Sequence, residues 1–219
     1  MTVPPPARLV VGVTGATGAP IAVRLLEVLR EVPEVETHLV LSTWAHSTIE
    51  VETTLTSRRF AELADVNHKF GELGATISSG SYRTAGMVIV PCSMKTLAAV
   101  RHGLADNLVC RAADVTLKER RPLVLVPRET PLSEIHLENM LALARMGARI
   151  VPPMPSFYDE PNSIDDLVDH IVMRILDQFS LPVAAADIAE RWPGLAATRV
   201  RESRRQPRDT TGAVRGRSR

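Results

Sequence analysis

The chain has 219 residues, with 26 Lys and Arg against 25 Asp and Glu and a net charge of +1. That length supplies one domain with a sizeable core, and the charge balance argues against a nucleic-acid binder. No apolar run approaches the roughly 20 residues of a membrane helix.

The N-terminal stretch MTVPPPARLVVG lacks a basic start followed by an apolar signal core, and residues 1–7 read as an extended lead-in. Leu9–Val13 is an apolar strand that runs into Thr14-Gly15-Ala16-Thr17-Gly18-Ala19. A helix from Pro20 to Arg30 follows, with Ile21, Leu25, Leu26 and Leu29 on one face. Strand, small-residue loop and helix together can cradle a phosphate on backbone N–H groups and the helix dipole. The spacing is neither G-x-G-x-x-G nor G-x-x-x-x-G-K-[ST], so a tight turn that merely needs small residues explains it equally well.

Thr37–Leu41 is the second strand and ends at Ser42; a helix over Trp44–Thr53 carries Glu50 and Glu52. Residues 55–85 are less regular, and SSGSYRTAG over 78–86 reads as a loop. Met87–Val90 is the third strand. It ends in Pro91-Cys92-Ser93-Met94-Lys95-Thr96 and a helix through Val100, where Ser93 or Thr96 is a candidate cap and Lys95 faces an anion. Cys92 reads as a small buried residue, since nothing nearby resembles the base a nucleophile needs. With Cys110 it has no metal-ligand spacing and no framework partner, so a reducing cytoplasm is the expected compartment.

The stretch RAADVTLKERRPLVLVPRE over 111–129 places a cationic helix-like segment before an apolar strand of the kind covered on both faces. Arg128 and Glu129 then fall at the strand's carboxyl end. Ser133–Met146 is a helix stopped by Gly147, and Arg149–Val151 is the fifth strand, ending in PPMPSFY over 152–158. The last helix, Ile164–Phe179, has Ile164, Leu167, Ile171 and Ile175 on its apolar face. From residue 194 the chain is an Arg-rich tail of the composition of a disordered, solvated segment.

Five β/α units imply an α/β fold: a doubly wound parallel sheet, flavodoxin-like in strand order 2-1-3-4-5, forming a three-layer Rossmann-like sandwich over residues 8–193. Its ligand belongs at the carboxyl edge, between strands one and three. The pattern points to an anionic, nucleotide-like ligand there. Lys95, Arg111, Lys118, Arg128 and Arg174 are expected around that edge, more cations than one phosphate needs. No Asp pair is spaced to hold Mg²⁺ on a diphosphate, so fixed cations would stabilise a departing phosphate directly. Glu52 and Glu129 are the carboxylates available to move protons.

TGATGA, Ser42, PCSMKT, the 111–129 stretch, HLENM over 136–140, PPMPSFYDEP over 152–161 and VMRILDQF over 172–179 together resemble the UbiX-type flavin prenyltransferases. That family includes the small B subunits of UbiD-linked hydroxyarylic acid decarboxylase systems. The resemblance implies transfer of a dimethylallyl group from dimethylallyl phosphate to reduced FMN, at N5 and then C6, without a metal. The product, prenylated FMN, serves a UbiD-type decarboxylase. It further implies a homododecamer with sites shared between subunits.

Residue by residue, the resemblance assigns Gly15, Ala16, Thr17 (Ser in many members), Ser42, Ser93, Met94, Lys95, Thr96 and Arg128 to FMN. It assigns Tyr158 and Arg174 to the dimethylallyl phosphate, Arg111, Lys118 and Glu129 to the charges around it, and Glu52 to a carboxylate near the flavin. Trp192, in Glu190-Arg191-Trp192, matches an aromatic whose π face stabilises an allylic cation at the prenyl site; packing at a helix end is the plainer reading of that residue. Two other functions compete: a non-catalytic FMN carrier for a decarboxylase, and a flavin-dependent cysteine decarboxylase. The second typically carries PASANT where this chain has PCSMKT.

Overall fold

The computed structural model describes residues 5–158, 160–181, 188–189 and 191–194. Most of the lead-in, Glu190 and the Arg-rich tail beyond Gly194 lie outside the described residues. The elements run β1 (Ala7–Val13), α1 (Ala19–Arg30), β2 (Val35–Leu41), α2 (Thr43–Glu52), α3 (Ser57–Ala61), β3 (Val66–His68), a 3₁₀ turn (Thr76–Ser78), β4 (Gly86–Cys92), α4 (Met94–Arg101), α5 (Leu108–Lys118), β5 (Leu123–Pro127), α6 (Glu134–Arg145), β6 (Arg149–Ile150) and α7 (Ile164–Leu176).

The strands form one sheet in the order β3-β2-β1-β4-β5-β6, and every neighbouring pair is parallel. This is the expected doubly wound order with one strand added. The addition, β3, pairs with β2 through His38↔Val66 and Val40↔His68. It follows a short helix inside the segment read as irregular, and its three residues are too few to show a period.

Side chains alternate across the sheet with the period of two that a strand imposes. Leu9, Val11, Val13, Leu39, Val88, Val90, Val124 and Val126 face α1, α2 and α7. Val10, Val40, Met87, Ile89, Leu123 and Leu125 face α4, α5 and α6. The central strands are therefore apolar on both faces, the condition for a parallel sheet covered by helices on each side, and the result is three layers. Ile21, Leu25, Leu26 and Leu29 are buried as expected. Ile164, expected on the apolar face of α7, is 77% exposed at the start of that helix. His170, Val172, Met173 and Leu176 join Ile171 and Ile175 in the buried set instead.

Successive strands step one way from β1 to β2 and β3, and the other way from β4 to β5 and β6. The reversal lies between β1 and β4, so the two loops leaving those strands part at the carboxyl edge and open a crevice. At the opposite edge the entry to β4 is crowded. A Cβ on Gly86 would stand 2.5 Å from the Pro122 carbonyl oxygen and 2.9 Å from the Phe179 ring, and its φ is +148°, a conformation that suits glycine alone. Gly86→Ala is therefore expected to cost at least about 1–3 kcal/mol from backbone strain. The melting midpoint should fall by several degrees; an unchanged midpoint would contradict this packing.

Candidate active site

The crevice is assembled around Thr14, which is buried. Its backbone N–H donates to the Pro91 carbonyl at 3.2 Å. Its hydroxyl donates to the same carbonyl at 2.8 Å and accepts from the Ser93 N–H at 2.8 Å. One side chain thus ties the β1–α1 loop to the β4–α4 loop, and Ser42 joins them through its N–H to the Val13 carbonyl at 2.9 Å. Gly15 is required by the same closeness: a Cβ there would lie 2.3 Å from the Cβ of Trp44, the second residue of α2.

Two of the loops end in capped helices. The Ser42 hydroxyl accepts from Ala45 N–H, and the Ser93 hydroxyl accepts from Thr96 N–H at 3.3 Å while donating to the Thr96 hydroxyl at 3.1 Å. Lys95 stands exposed in the first turn of α4, and Arg128 and Glu129 follow β5 at the same edge, also exposed. Gly15, Ala16, Thr17, Ser42, Ser93, Met94, Lys95, Thr96, Arg128 and Glu129 therefore occupy one rim, as their positions after strand ends foretell.

Glu52 reaches this rim from the end of α2 and performs a task that sequence reasoning missed. Its Oε2 accepts from Gly18 N–H at 2.7 Å and Ala19 N–H at 2.9 Å, where α1 has no side-chain cap of its own. A carboxylate satisfies orphan amides and complements the dipole. It also takes up two of the donors that an incoming phosphate would otherwise use. Cys92 is fully buried, and burial raises its thiol pKa, which suits a packing residue and not a thiolate nucleophile.

Lys118 lies elsewhere. Because α5 returns antiparallel to the sheet, its last residue falls at the amino edge, just before β5. There Lys118 Nζ pairs with Glu119 at 2.5 Å beside Gly80, and Arg121 holds the carbonyls of Gly80 and Tyr82. Strands of seven residues such as β1 and β4 put that edge about 20 Å from the Gly15 loop. Arg111, one turn into α5, donates to the Ser78 carbonyl at 3.1 Å and pairs with Asp114 at 2.7 Å. The expectation that five cations crowd one rim does not hold within a single chain.

A third group gathers on α7. Tyr158, in the loop after β6, meets His170 through its hydroxyl at 2.8 Å and Trp192 edge-on, with ring centroids 5.1 Å apart. Arg174 and Arg191 share Asp177, whose pKa is lowered chiefly by the hydrogen bond from Arg191. Tyr158, Arg174 and Trp192 are thus close together. His170, which joins them, lies outside every motif quoted above, while Asp177 falls within VMRILDQF and Arg191 beside Trp192, neither being singled out by its motif. Among the described residues no group of His, Cys, Asp and Glu could hold a metal ion, and no helix is long and apolar enough to cross a membrane.

Comparison with known proteins decides the family. The Flavoprotein family model matches residues 4–176. A probable UbiX-like flavin prenyltransferase from Streptomyces sp. (strain D7) is 68% identical over 193 residues, 88% of this chain and 95% of that protein. This chain belongs to the UbiX-like flavin prenyltransferases. Two solved members of the UbiX group share the fold closely. The dodecameric FMN-dependent UbiX-like decarboxylase of Escherichia coli O157:H7 superposes with a TM-score of 0.81 at 62% identity, over 85% of this chain and all of that one. AnUbiX in complex with FMN and dimethylallyl pyrophosphate superposes with a TM-score of 0.83 at 53% identity, over 86% and 98% of the two chains. The FMN-dependent cysteine decarboxylase SpaF, at 20% identity and a TM-score of 0.55, shares the fold alone.

The capping role of Glu52 is open to direct measurement. Glu52→Gln removes the charge at the α1 terminus and is expected to lower stability by about 0.5–2 kcal/mol in a thermal melt without ligand. A melt identical to the parent's would contradict that role.

Proposed function

We propose that this chain is a flavin prenyltransferase that joins the dimethylallyl group of dimethylallyl phosphate to reduced FMN and makes prenylated FMN. The observation carrying this reading is its 53% identity, along nearly the whole fold, to a protein whose structure holds both FMN and a dimethylallyl donor. The rim fits the flavin. A flavin mononucleotide has one phosphate and a flat apolar ring. The rim offers the first-turn amides of α4, the hydroxyls of Thr17 and Ser42, the cations Lys95 and Arg128, and the apolar flanks of Trp44 and Met94. FMN, once reduced, supplies the nucleophilic N5 and C6 to which the allyl carbons become bonded.

In this reading Lys95, Arg128 and the hydroxyl-bearing loops hold the flavin. Lys118, Arg111 and Arg174 grip the donor's phosphate, which departs with the electron pair of the broken C–O bond. Fixed guanidinium and ammonium groups aimed at that developing charge lower the barrier without reorganising. Glu129 assists proton transfer, and the Tyr158 and Trp192 rings wall the allyl group, where a π face favours cationic character.

Lys118 and the Gly15 loop stand on opposite edges of one chain, so a complete site draws Lys118 from a second copy. Leu132, Ile135, Leu137, Leu141 and Met146 leave an exposed apolar face on and around α6 of the kind that marks a protein interface. A homo-oligomer, a dodecamer as in the E. coli relative, is the assembly we infer. The cytoplasm is the inferred compartment, and a UbiD-type decarboxylase the inferred recipient of the product.

Incubation of pure protein with reduced FMN and dimethylallyl phosphate under anaerobic conditions should add one prenyl unit to the flavin mass. An unchanged mass would overturn the transferase and leave an FMN carrier. A gain seen only with the diphosphate would correct the donor. Lys118→Met should cut product formation at least about tenfold, ~1.4 kcal/mol of transition-state stabilisation, while FMN still binds. Undiminished turnover would remove Lys118 from the site. Glu129→Gln should slow turnover more than it weakens FMN affinity, and a normal rate would remove Glu129 from the chemistry.

A further inference from the structure

His170 is 7% exposed, and its Nδ1 is the one buried side-chain polar atom, among the described residues, without a hydrogen-bond partner. Its other ring nitrogen, Nε2, lies 2.8 Å from the Tyr158 hydroxyl, with the two rings nearly perpendicular at 82°. Trp192 meets Tyr158 edge-on, at 75° between the ring planes. The phenol is thus anchored by its hydroxyl on one residue and braced by ring contact with another, although it is itself 41% exposed.

The unpartnered atom decides which way the hydrogen bond runs. If Nε2 accepted the phenolic hydrogen, the ring's own proton would sit on Nδ1 as a buried N–H with no acceptor. If Nε2–H donates to the phenolic oxygen, Nδ1 is left as a bare lone pair. Orphaned buried N–H groups are rarer in folded proteins than unfilled acceptors, so the second tautomer is the one the burial favours. In that arrangement the Tyr158 O–H keeps its hydrogen for another acceptor. A hydroxyl with its hydrogen turned outward donates to an anion; one whose hydrogen is spent on histidine does not.

The geometry points to His170 as a positioning residue. It donates Nε2–H to Tyr158 and so presents the phenolic O–H to a phosphate oxygen of the allyl donor. This rests on the reading above that Tyr158 faces that donor. Arg174 lies one turn further along α7, lining with His170 a cleft of about 470 Å³. The phenol, tied to α7 through His170, and the guanidinium carried on α7 would approach the phosphate in fixed relation. No proton is consumed: the histidine acts only through the direction it gives the phenol.

The test uses the full-length protein and four variants: Tyr158→Phe, His170→Leu, His170→Gln and the double variant Tyr158→Phe/His170→Leu. The side-chain amide of Gln places an N–H near the position of Nε2 and preserves the donor; Leu fills the volume without one. The readouts are kcat/KM for dimethylallyl phosphate, Kd for FMN and the melting midpoint. Tyr158→Phe and His170→Leu should each lower kcat/KM about tenfold or more, chiefly through KM, with FMN affinity kept. His170→Gln should recover most of the loss, and the double variant should be no worse than Tyr158→Phe alone.

A normal His170→Leu beside an impaired Tyr158→Phe would overturn the positioning role and leave the substrate reading intact. Normal kcat/KM in both would overturn the substrate reading and the positioning role with it. Additive losses in the double variant, or a Gln variant as poor as the Leu variant, would also overturn the proposal. Should His170→Leu not fold, His170→Asn, whose amide stops short of the phenol, replaces it with the same expected and contrary results.

Discussion

The crevice depends on a single threonine. A doubly wound sheet opens wherever its strand order reverses, because the chain leaves neighbouring strands toward opposite faces. Left alone, the two loops at that point would be free to drift apart. Thr14 prevents this by giving its N–H and O–H to the Pro91 carbonyl and taking the Ser93 N–H. A buried, fully engaged hydroxyl of this kind is costly to remove, since it leaves a donor and an acceptor without partners. The placement of Gly15 against Trp44 and of Ser93 at the head of α4 both follow from that tie, and the rim is built on them.

The geometry of the rim also bears on the proposal that a site is completed between copies of the chain. Helices that connect parallel strands must run back across the sheet, so their ends alternate between its two edges. Arg128 follows a strand and falls on the carboxyl edge. Lys118 ends a helix and falls on the opposite one. On the role proposed for Lys118, its ammonium group would reach a phosphate at the Gly15 edge from a second copy, not across the length of the sheet within one. The exposed apolar side chains around α6 supply a surface on which such copies can meet.

Much of the fold was readable in the amino-acid order. LVVGV, MVIV and LVLV are apolar runs that must be covered on both faces, and each is followed by small or polar residues that break it. The three-residue β3 was not readable, because Val66-Asn67-His68 has no run long enough to show a period. Ile164 was misplaced because the helix begins there, before its buried stripe does. The rim residues were legible because each lies directly after a strand, so neighbourhood in sequence became neighbourhood in space. The capping of α1 by Glu52 and the bond from Tyr158 to His170 depend on helix packing across the fold, which no local pattern encodes. The edge on which Lys118 lies had a usable signal in the direction of α5, fixed once β4 and β5 are parallel.

Mixed assemblies put the shared-site arrangement to the most direct test. Lys118→Met spoils the cation while sparing the strand-end loops, and Thr17→Trp fills the small-residue loop while sparing the cation. Each variant alone should form little prenylated FMN. Co-expressed with different tags and isolated as a mixed oligomer, they should regain activity, because an intact loop on one copy meets an intact Lys118 on its neighbour. A mixed oligomer as inactive as its two parents would contradict a site completed between protomers.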